Sequence, residues 1–324
     1  MNTNLRGIAY LCLLIVGMAA SFQARAEYRY TLVDYPGAVS TQFWGINNAG
    51  LIVGQASLVD PVAGPYFDFT YDPGKGVFTL IPDVPGNAGT GAIGLNEKGT
   101  LVGSTSPDGV ASSAFILDKK GEHTVFNQPG WDYTNARAIG SSGKVTGYSS
   151  TADFSEFTGF IYDPNDGSFT EIDFPNSTIV IPQGINGRGD VVGSVGFRPG
   201  GAPDGNPPGT YAFLRDKSGS IALFRINATL TRARGISDAG KITGQVFDPS
   251  TGAFLGFVGK LDLQPGLPGV QFLTAPPVEL LVVPGVLSTI VQGINNAGTI
   301  VGSTDDGAGF SRGFIATPLP SGKK

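Results

Sequence analysis

Six residues stand directly before the six copies of a glycine-rich motif and could together bind a ligand. The first copy of the motif reads GINNAGLIVG, and the residues that precede its six copies are Trp44, Ile93, Arg137, Gln183, Arg234 and Gln292. An indole face, two guanidinium groups and two amides suit a sugar or a carboxylate-bearing ligand. Polar residues also stand at such positions simply because water reaches them, so a ring without a ligand is the alternative.

A second group of candidate binding residues lies in the segment QPGWDYTNARA, where Trp131, Asp132 and Tyr133 shortly precede Arg137. Aromatic rings beside hydrogen-bonding groups suit carbohydrate stacking or a protein hot spot. The alternative is a Trp buried between structural units. The complete set of candidate ligand-binding residues is Trp44, Trp131, Asp132, Tyr133, Arg137, Gln183, Arg234 and Gln292.

Catalysis has few candidate residues. His123 is the only histidine, and the sequence contains no Gly-x-Ser-x-Gly elbow and no His/Cys cluster for zinc or copper, so we expect neither a metal nor a cofactor. A hydrolase with two carboxylates, or a lyase with a Tyr/Arg pair, stays open because such residues need to meet only in space. The acids on connections that we expect at the same end of the fold are Asp60, Asp132, Asp153, Glu156, Asp305 and Asp306.

The glycine motif recurs six times and must position these side chains. Its copies start at Gly45, Gly94, Ala138, Gly184, Gly235 and Gly293, which are 44 to 58 residues apart. Four short apolar segments accompany each copy, for example YTLVDYPG, FWGI, LIVG and YFDFTYD. Four strands in each of six units predict an all-β fold, and the spacing is in the range of propeller blades.

The residue types inside the motif predict turns and strands and not a ligand loop. The sixth position is always glycine, which suits a hairpin turn with positive φ, and an Asn, Ser or Gly three residues earlier can bond its own backbone. The apolar pair that follows, such as Ile52 and Val53, predicts a strand covered on both faces by neighbouring units. A glycine at the tenth position predicts a close backbone approach near a crowded central axis.

The two ends of the chain predict closure into a ring. The chain enters on YRYTLVDYP and leaves on GFIATPLP, which are successive segments of one unit, so the first strand can complete the last sheet and remove the exposed edges. We therefore predict a six-bladed β-propeller built from six four-stranded repeats, with an open β-solenoid as the alternative. The long segment KLDLQPGLPGVQFLTAPP predicts one irregular blade.

The GINNAG and IVG pairs, together with segments such as FTEIDFP and GFIYD, resemble the bacterial extracellular repeat proteins of the HAF family. The resemblance covers residues 28 to 315. It implies a secreted or periplasmic, propeller-like repeat protein, and it brings no assigned activity and no catalytic residues.

The N-terminal segment and the composition bear on location and partners. Arg6, an apolar run and Ala24-Arg25-Ala26 predict a signal peptide over residues 1–26, followed by a single propeller domain over 27–318 and a tail over 319–324. We expect a secreted or periplasmic protein, without disulfides and without membrane insertion after cleavage. The formal net charge of -5 disfavours nucleic acid and anionic membranes. We expect a monomer.

Three functional hypotheses follow. The first is a non-catalytic binding or interaction module for an extracellular glycan or protein. The second is a polysaccharide-cleaving enzyme, which predicts acids or a Tyr/Arg pair converging within one cleft. The third is a purely structural surface protein, which predicts a rim without a concave, chemically distinct patch.

Overall fold

The computed structural model describes residues 28–61, 64–202, 208–226, 230–261, 270–274 and 276–319. Within these ranges the chain forms 25 strands and no helix. No helix in this part of the chain is therefore long and apolar enough to cross a membrane. The predicted signal peptide and residues 320–324 of the predicted tail lie outside the described residues.

The strands follow one another in groups of four, apart from the first strand and one insertion. The first strands are β1 (Tyr28–Val33), β2 (Ser40–Ile46), β3 (Ile52–Ser57), β4 (Phe67–Asp72), β5 (Val77–Leu80), β6 (Gly89–Leu95), β7 (Leu101–Ser106), β8 (Ser113–Leu117) and β9 (His123–Phe126). The next are β10 (Tyr133–Ile139), β11 (Val145–Ser150), β12 (Phe157–Asp163), β13 (Ser168–Ile172), β14 (Ser177–Ile185), β15 (Val191–Phe197), β16 (Gly209–Arg215) and β17 (Ile221–Arg225). The last are β18 (Thr231–Ile236), β19 (Lys241–Asp248), β20 (Ala253–Lys260), β21 (Val270–Thr274), β22 (Val278–Leu281), β23 (Ser288–Ile294), β24 (Ile300–Asp305) and β25 (Ser311–Pro318).

Six antiparallel sheets form the blades of a propeller, which confirms the predicted fold. Blades 1 to 3 are β2–β5, β6–β9 and β10–β13; blade 4 contains β14–β17 and blade 5 contains β18, β19, β20 and β22. Blade 6 has the order β1-β25-β24-β23. The N-terminal strand thus pairs with the C-terminal strand, from Tyr28 opposite Pro318 to Val33 opposite Gly313, and closes the ring as predicted.

The irregular blade also appears where the sequence predicts it. The long segment after β20 contributes β21, which leaves blade 5 and pairs parallel with β17 as a fifth strand of blade 4. The chain then returns to blade 5, where β22 pairs with β20. The insertion therefore ties the outer edges of two neighbouring blades together.

The hydrophobic core lies between the blades. The third strand of each blade carries one fully buried Phe; these are Phe69, Phe115, Phe160, Phe213, Phe257 and Phe314. On the second strand, Ile52 packs in a cluster with Val301 of blade 6, and its neighbour Val53 packs in a cluster with Phe115 of blade 2. The predicted covering of both strand faces is confirmed, and each such residue stabilises the fold by about 1.5–3 kcal/mol.

The residue pattern that recurs in the turns makes hydrogen bonds both within each turn and between neighbouring blades. The glycine at the sixth position of every copy has a positive φ, between 76° and 94°. Asn47 accepts a hydrogen bond at Oδ1 from the Leu51 amide, which is the predicted bond within the turn, and its Nδ2 donates to the carbonyl oxygen of Asn96 in the next blade (3.1 Å). The same bond between blades joins Asn96 to Gly140, Asn186 to Ser237 and Asn295 to Asn47.

Two faces of the propeller carry different connections. The turn face holds the hairpin turns after the first and third strands, including the Asn turns. The loop face holds the connections from the second to the third strand and from the outer strand to the next inner strand.

Candidate functional site in the central channel

A β-bulge on every inner strand aims one side chain into the central channel. The register of the inner strand shifts between Phe43 and Gly45, and at the equivalent place in each of the other five blades. The residue within each shift has no ladder partner; these residues are Trp44, Ile93, Arg137, Gln183, Arg234 and Gln292. Bulges redirect side chains, so the six predicted ring residues converge because of this irregularity.

The glycine at the tenth position of the motif leaves room for the bulge on the inner strand. A Cβ at Gly147 would lie 2.0 Å from the carbonyl oxygen of Asn135, which stands two residues before the bulged Arg137. The predicted close approach is confirmed, but its partner is the inner strand of the same blade. Crowding at the axis falls instead on the first glycine of the motif, since a Cβ at Gly184 would lie 2.8 Å from the Arg234 carbonyl oxygen of the next blade.

Four layers follow one another from the loop face to the turn face. The first is a cavity of about 230 Å³ that adjoins the channel and is lined by blades 3 to 5, with Arg232, Ile179 and Ile181 among its residues. The second is a cavity of about 80 Å³ lined by the six bulged residues. Next comes an apolar ring that borders the cavities on both of its sides and consists of Ile46, Leu95, Ile139, Ile185, Ile236 and Ile294. The last layer is a cavity of about 70 Å³ at the turn face, where Glu97 and Asp238 supply negative charge.

The bulged ring lies next to the apolar ring. Trp44 stands three residues before the Asn47 turn, and the two rings line the same cavity. Two residues that stand two positions earlier, Arg232 and Ile181, line the cavity that adjoins the bulged ring on its loop-face side. Arg137, Gln183 and Arg234 line both the first and the second layer, so the bulged ring is continuous with the mouth on the loop face.

Three guanidinium groups meet in the upper two layers without a carboxylate. The four ion pairs among the described residues involve Lys75, Lys144, Arg188 and Arg312, all outside this part of the channel. The Nε atoms of Arg137 and Arg234 are buried and have no hydrogen-bond partner in the part of the chain that the structure describes. Arg137 also lies over the Tyr148 ring, 5.3 Å from its centroid. The site therefore holds uncompensated positive charge.

Burial and like charge both act on Arg234. The pKa of Arg234 is lowered to about 9, mainly by burial and in addition by the charges of Arg137 and Arg232. Burial also lowers the pKa of Arg232. Arg234 stays charged at neutral pH, and an anion in the channel would offset both unfavourable effects.

Trp44 is held by a buried polar chain. Its Nε1 donates to Gln55 Oε1 (3.1 Å), Gln55 Nε2 donates to Asp68 Oδ1 (2.8 Å), and the Ala92 amide donates to Asp68 Oδ2 (2.7 Å). Burial raises the pKa of Asp68 to about 6, although both hydrogen bonds act in the opposite direction. The indole nitrogen is thus occupied, and the ring of Trp44 lines the cavity. Sequence reasoning missed this chain because no other repeat carries an acid at the position of Asp68.

The second group of candidate residues lies on the loop face but not in the channel. Trp131 lines a separate cleft of about 450 Å³ between blades 3 and 4. Asp132 accepts a hydrogen bond from the Ala152 amide (2.8 Å), which ties two loops of blade 3 together, and Tyr133 packs against Phe154 at 5.2 Å. The structure therefore groups Trp44, Arg137, Gln183, Arg234 and Gln292 and separates them from Trp131, Asp132 and Tyr133.

The cleft at Trp131 brings several acids together; this cleft is called the blade 3–4 cleft below. Glu156, Glu171, Asp173 and Arg198 line it with Trp131. Glu171 accepts a hydrogen bond from the Thr158 hydroxyl (2.7 Å). Of the six predicted loop acids only Glu156 lines this cleft. Asp153 instead binds the hydroxyls of Thr151 and Ser155, which lower its pKa to about 2.

The fold and the channel define the protein as a six-bladed β-propeller with a basic channel. No protein-family model matches the chain, and no curated protein matches it in sequence. Solved structures with similar folds include the β-propeller domain of the Trilobed protease from Pyrococcus furiosus (9% identity, 88% of this chain, 99% of that chain, TM-score 0.47). TolB from Acinetobacter baumannii has 10% identity and a TM-score of 0.46 over 86% of this chain. The match spans about half of TolB, 54% of that chain.

Proposed function

We propose that the protein is a non-catalytic binding module that recognises a carboxylate-bearing ligand through its central channel. The observation that carries the proposal is the convergence of Arg137, Arg232 and Arg234 without a carboxylate among the described residues. Leaving buried cations unpaired is unfavourable, and a carboxylate accepts paired hydrogen bonds from a guanidinium group. Gln183 and Gln292 supply further donors, and the Trp44 ring supplies an apolar wall.

The lining of the bulged ring supports binding and not catalysis. Its side chains carry guanidinium, amide, indole and aliphatic groups. At neutral pH such groups donate hydrogen bonds and pack, and they do not accept protons from a substrate. The predicted signal peptide and the resemblance to HAF repeat proteins favour a ligand outside the cytoplasm. A purely structural protein is disfavoured, because that hypothesis predicts a rim without a concave, chemically distinct patch.

Calorimetric titration tests the channel proposal with two acidic probes and their neutral counterparts. The probes are trimannuronate against mannotriose, and hexaglutamate against hexaglutamine. We expect at least one acidic probe to bind, its neutral counterpart to fail, and Arg234→Gln to weaken binding by about tenfold or more. Arg198→Gln, outside the channel, is the matched control. Equal binding of acidic and neutral probes, or binding by neither acidic probe, would contradict the proposal.

The blade 3–4 cleft favours polysaccharide cleavage as a second candidate function. Three carboxylates and Trp131 face one cleft, which is the convergence that the enzyme hypothesis predicts. An assay for new reducing ends on a panel of polysaccharides, with Glu171→Gln and Glu156→Gln, tests this candidate. Cleavage that both variants retain would assign the activity to another source.

A further inference from the structure

Exposed apolar side chains stand on the loop-face connections of four blades, and this set is called the crown below. The crown consists of Leu58 and Val59 in blade 1, Val110 in blade 2, Phe154 in blade 3 and Phe310 in blade 6. Val59 and Val110 are 75% and 74% exposed, and Phe154 is 59% exposed. Single exposed apolar residues are ordinary, whereas a set on one face marks an interaction surface.

Among the residues that the structure describes, the hairpin turns of the turn face carry no exposed large apolar side chain. Beyond the crown, the exposed large apolar residues of the described chain are Val77, Leu80, Val125, Ile179, Leu287 and Leu319. Ile179 and Leu287 also lie at the loop face, and the others lie on outer strands or at the C-terminal end. None of them stands in a hairpin turn of the turn face. The exposed apolar side chains that distinguish the loop face from the turn face therefore lie on the loops.

Hydrogen bonds within the loops hold the crown residues outward. The Val110 amide donates to Asp108 Oδ1 (2.9 Å), and the Phe310 amide donates to Asp306 Oδ1 (3.2 Å). Phe154 has a φ of 56°, a left-handed conformation that is strained for an aromatic residue, and its amide donates to the Thr151 carbonyl oxygen (3.0 Å). Loops ordered in this way lose little further entropy on binding.

The charges on this face are concentric. An Asp accompanies each crown position, as Asp60, Asp108, Asp153 and Asp306 do, while Arg137 and Arg234 line the central cavity and Arg232 lines the cavity that adjoins it. An anionic bilayer or a polyanionic glycan lying across the face would meet these carboxylates. A protein surface can instead place one acidic segment at the centre and apolar side chains around it.

We propose that the loop face docks a partner protein, which packs apolar side chains on the crown and inserts an acidic segment into the channel mouth. The inference rests on the proposed function, because it takes the channel as the anion site. It adds the class of partner and the surface around that site.

Selection from a random twelve-residue peptide phage library on the purified protein, residues 27–324, tests the inference. We expect enriched peptides to combine two or more Asp or Glu with apolar residues. Synthetic copies of these peptides should bind the crown variant Val110→Ser/Phe310→Ser about tenfold more weakly or worse. The matched control is Leu80→Ser/Val125→Ser, which removes exposed apolar residues from outer strands and should leave affinity unchanged. Circular dichroism checks that each variant is folded.

The outcomes separate the inference from the proposed function. Peptides that depend on Arg234 but not on the crown would overturn docking on the crown and leave the channel as an anion site. Absence of acidic peptides together with trimannuronate binding would identify a glycan as the occupant and overturn the inference. Crown-dependent binding to phosphatidylglycerol vesicles without peptide selection would also overturn it. Loss of peptide affinity in both the crown variant and Arg234→Gln would support it.

Discussion

Asn295 in blade 6 donates a hydrogen bond from Nδ2 to the carbonyl oxygen of Asn47 in blade 1, at 3.2 Å and 248 residues away in sequence. The bond belongs to a ring of equivalent bonds around the turn-face end of the channel. Two members of the ring lack an Asn side chain, because the third and fifth copies of the motif carry Gly140 and Ser237 at this position. The repeat motif therefore encodes contact between blades as well as the turn.

Loss of the closing Asn should destabilise the fold. In Asn295→Ala the Asn47 carbonyl and the Thr299 amide both lose a buried partner. We expect the free energy of unfolding to fall by about 1–3 kcal/mol. Urea unfolding measures this, and Asn165→Ala in an exposed turn is the control, with an expected change within about 0.5 kcal/mol. Equal effects of both substitutions would contradict a role in closure.

Restoring a missing member of the ring should stabilise the fold. In Ser237→Asn the new amide can donate to the Asn295 carbonyl as its counterparts do in other blades. We expect a gain of about 0.5–1.5 kcal/mol in the free energy of unfolding. Ser237→Ala, which adds no donor, separates this bond from loss of the Ser hydroxyl. The prediction fails if both variants are equally stable.

A methyl group on the glycine at the tenth position of the motif should be incompatible with the β-bulge of the inner strand. Gly147→Ala places Cβ 2.0 Å from the Asn135 carbonyl oxygen, so the inner strand must move. We expect a loss of about 3 kcal/mol or more in the free energy of unfolding, or no folding. Gly89→Ala is the matched control, because a Cβ there meets nothing within 4 Å. Thermal and urea unfolding of both variants provide the measurement.

The buried Asp68 should make stability depend on pH. Its pKa is raised from 3.8 to about 6 in the folded state, so the folded chain binds more protons than the unfolded chain between these values. The stability that protonation of Asp68 contributes is present below pH 3.8 and is lost as pH rises through about 6, a change of about 3 kcal/mol. Urea unfolding from pH 4 to 7 should show this difference between the wild type and Asp68→Asn. Parallel pH profiles would contradict it.

Arg234 should destabilise the protein while it provides the binding site. Arg234→Met removes a buried charge that lies beside Arg137 and Arg232, and we expect about 1–2 kcal/mol of added stability. Sulfate should raise the melting temperature of the wild type more than chloride at equal ionic strength, and this difference should be smaller in Arg234→Met. A less stable variant, or an unchanged response to sulfate, would contradict the prediction.

Much of this fold can be predicted from the sequence repeat. Positive-φ glycines and alternating apolar residues specify the turns and strands, and pairing of the two chain ends specifies closure. The six ring residues were also identifiable, because a repeat places equivalent residues at equivalent depths. The β-bulge that redirects them was not predicted, because a single copy of the motif marks it only by the glycine at the tenth position.

Other features depend on contacts that no local pattern records. Trp131 stands six residues before Arg137, yet its side chain lines the blade 3–4 cleft while that of Arg137 lines the channel. No residue pattern in this segment specifies the two directions. The transfer of β21 to blade 4 depends on pairing with β17, about 50 residues earlier. The crown is carried by loops whose sequences differ among blades, so the repeat gives no indication of it.

The β-bulges separate two kinds of sequence change. A bulged residue such as Gln183 has no ladder partner, so its identity is independent of the hydrogen bonds that hold its blade together. A substitution at Gln183 therefore leaves the ladder hydrogen bonds of its blade in place. The side chains that face a ligand and the backbone bonds that hold each sheet together belong to different residues, so the ring can change its ligand preference while the strands keep their pairing.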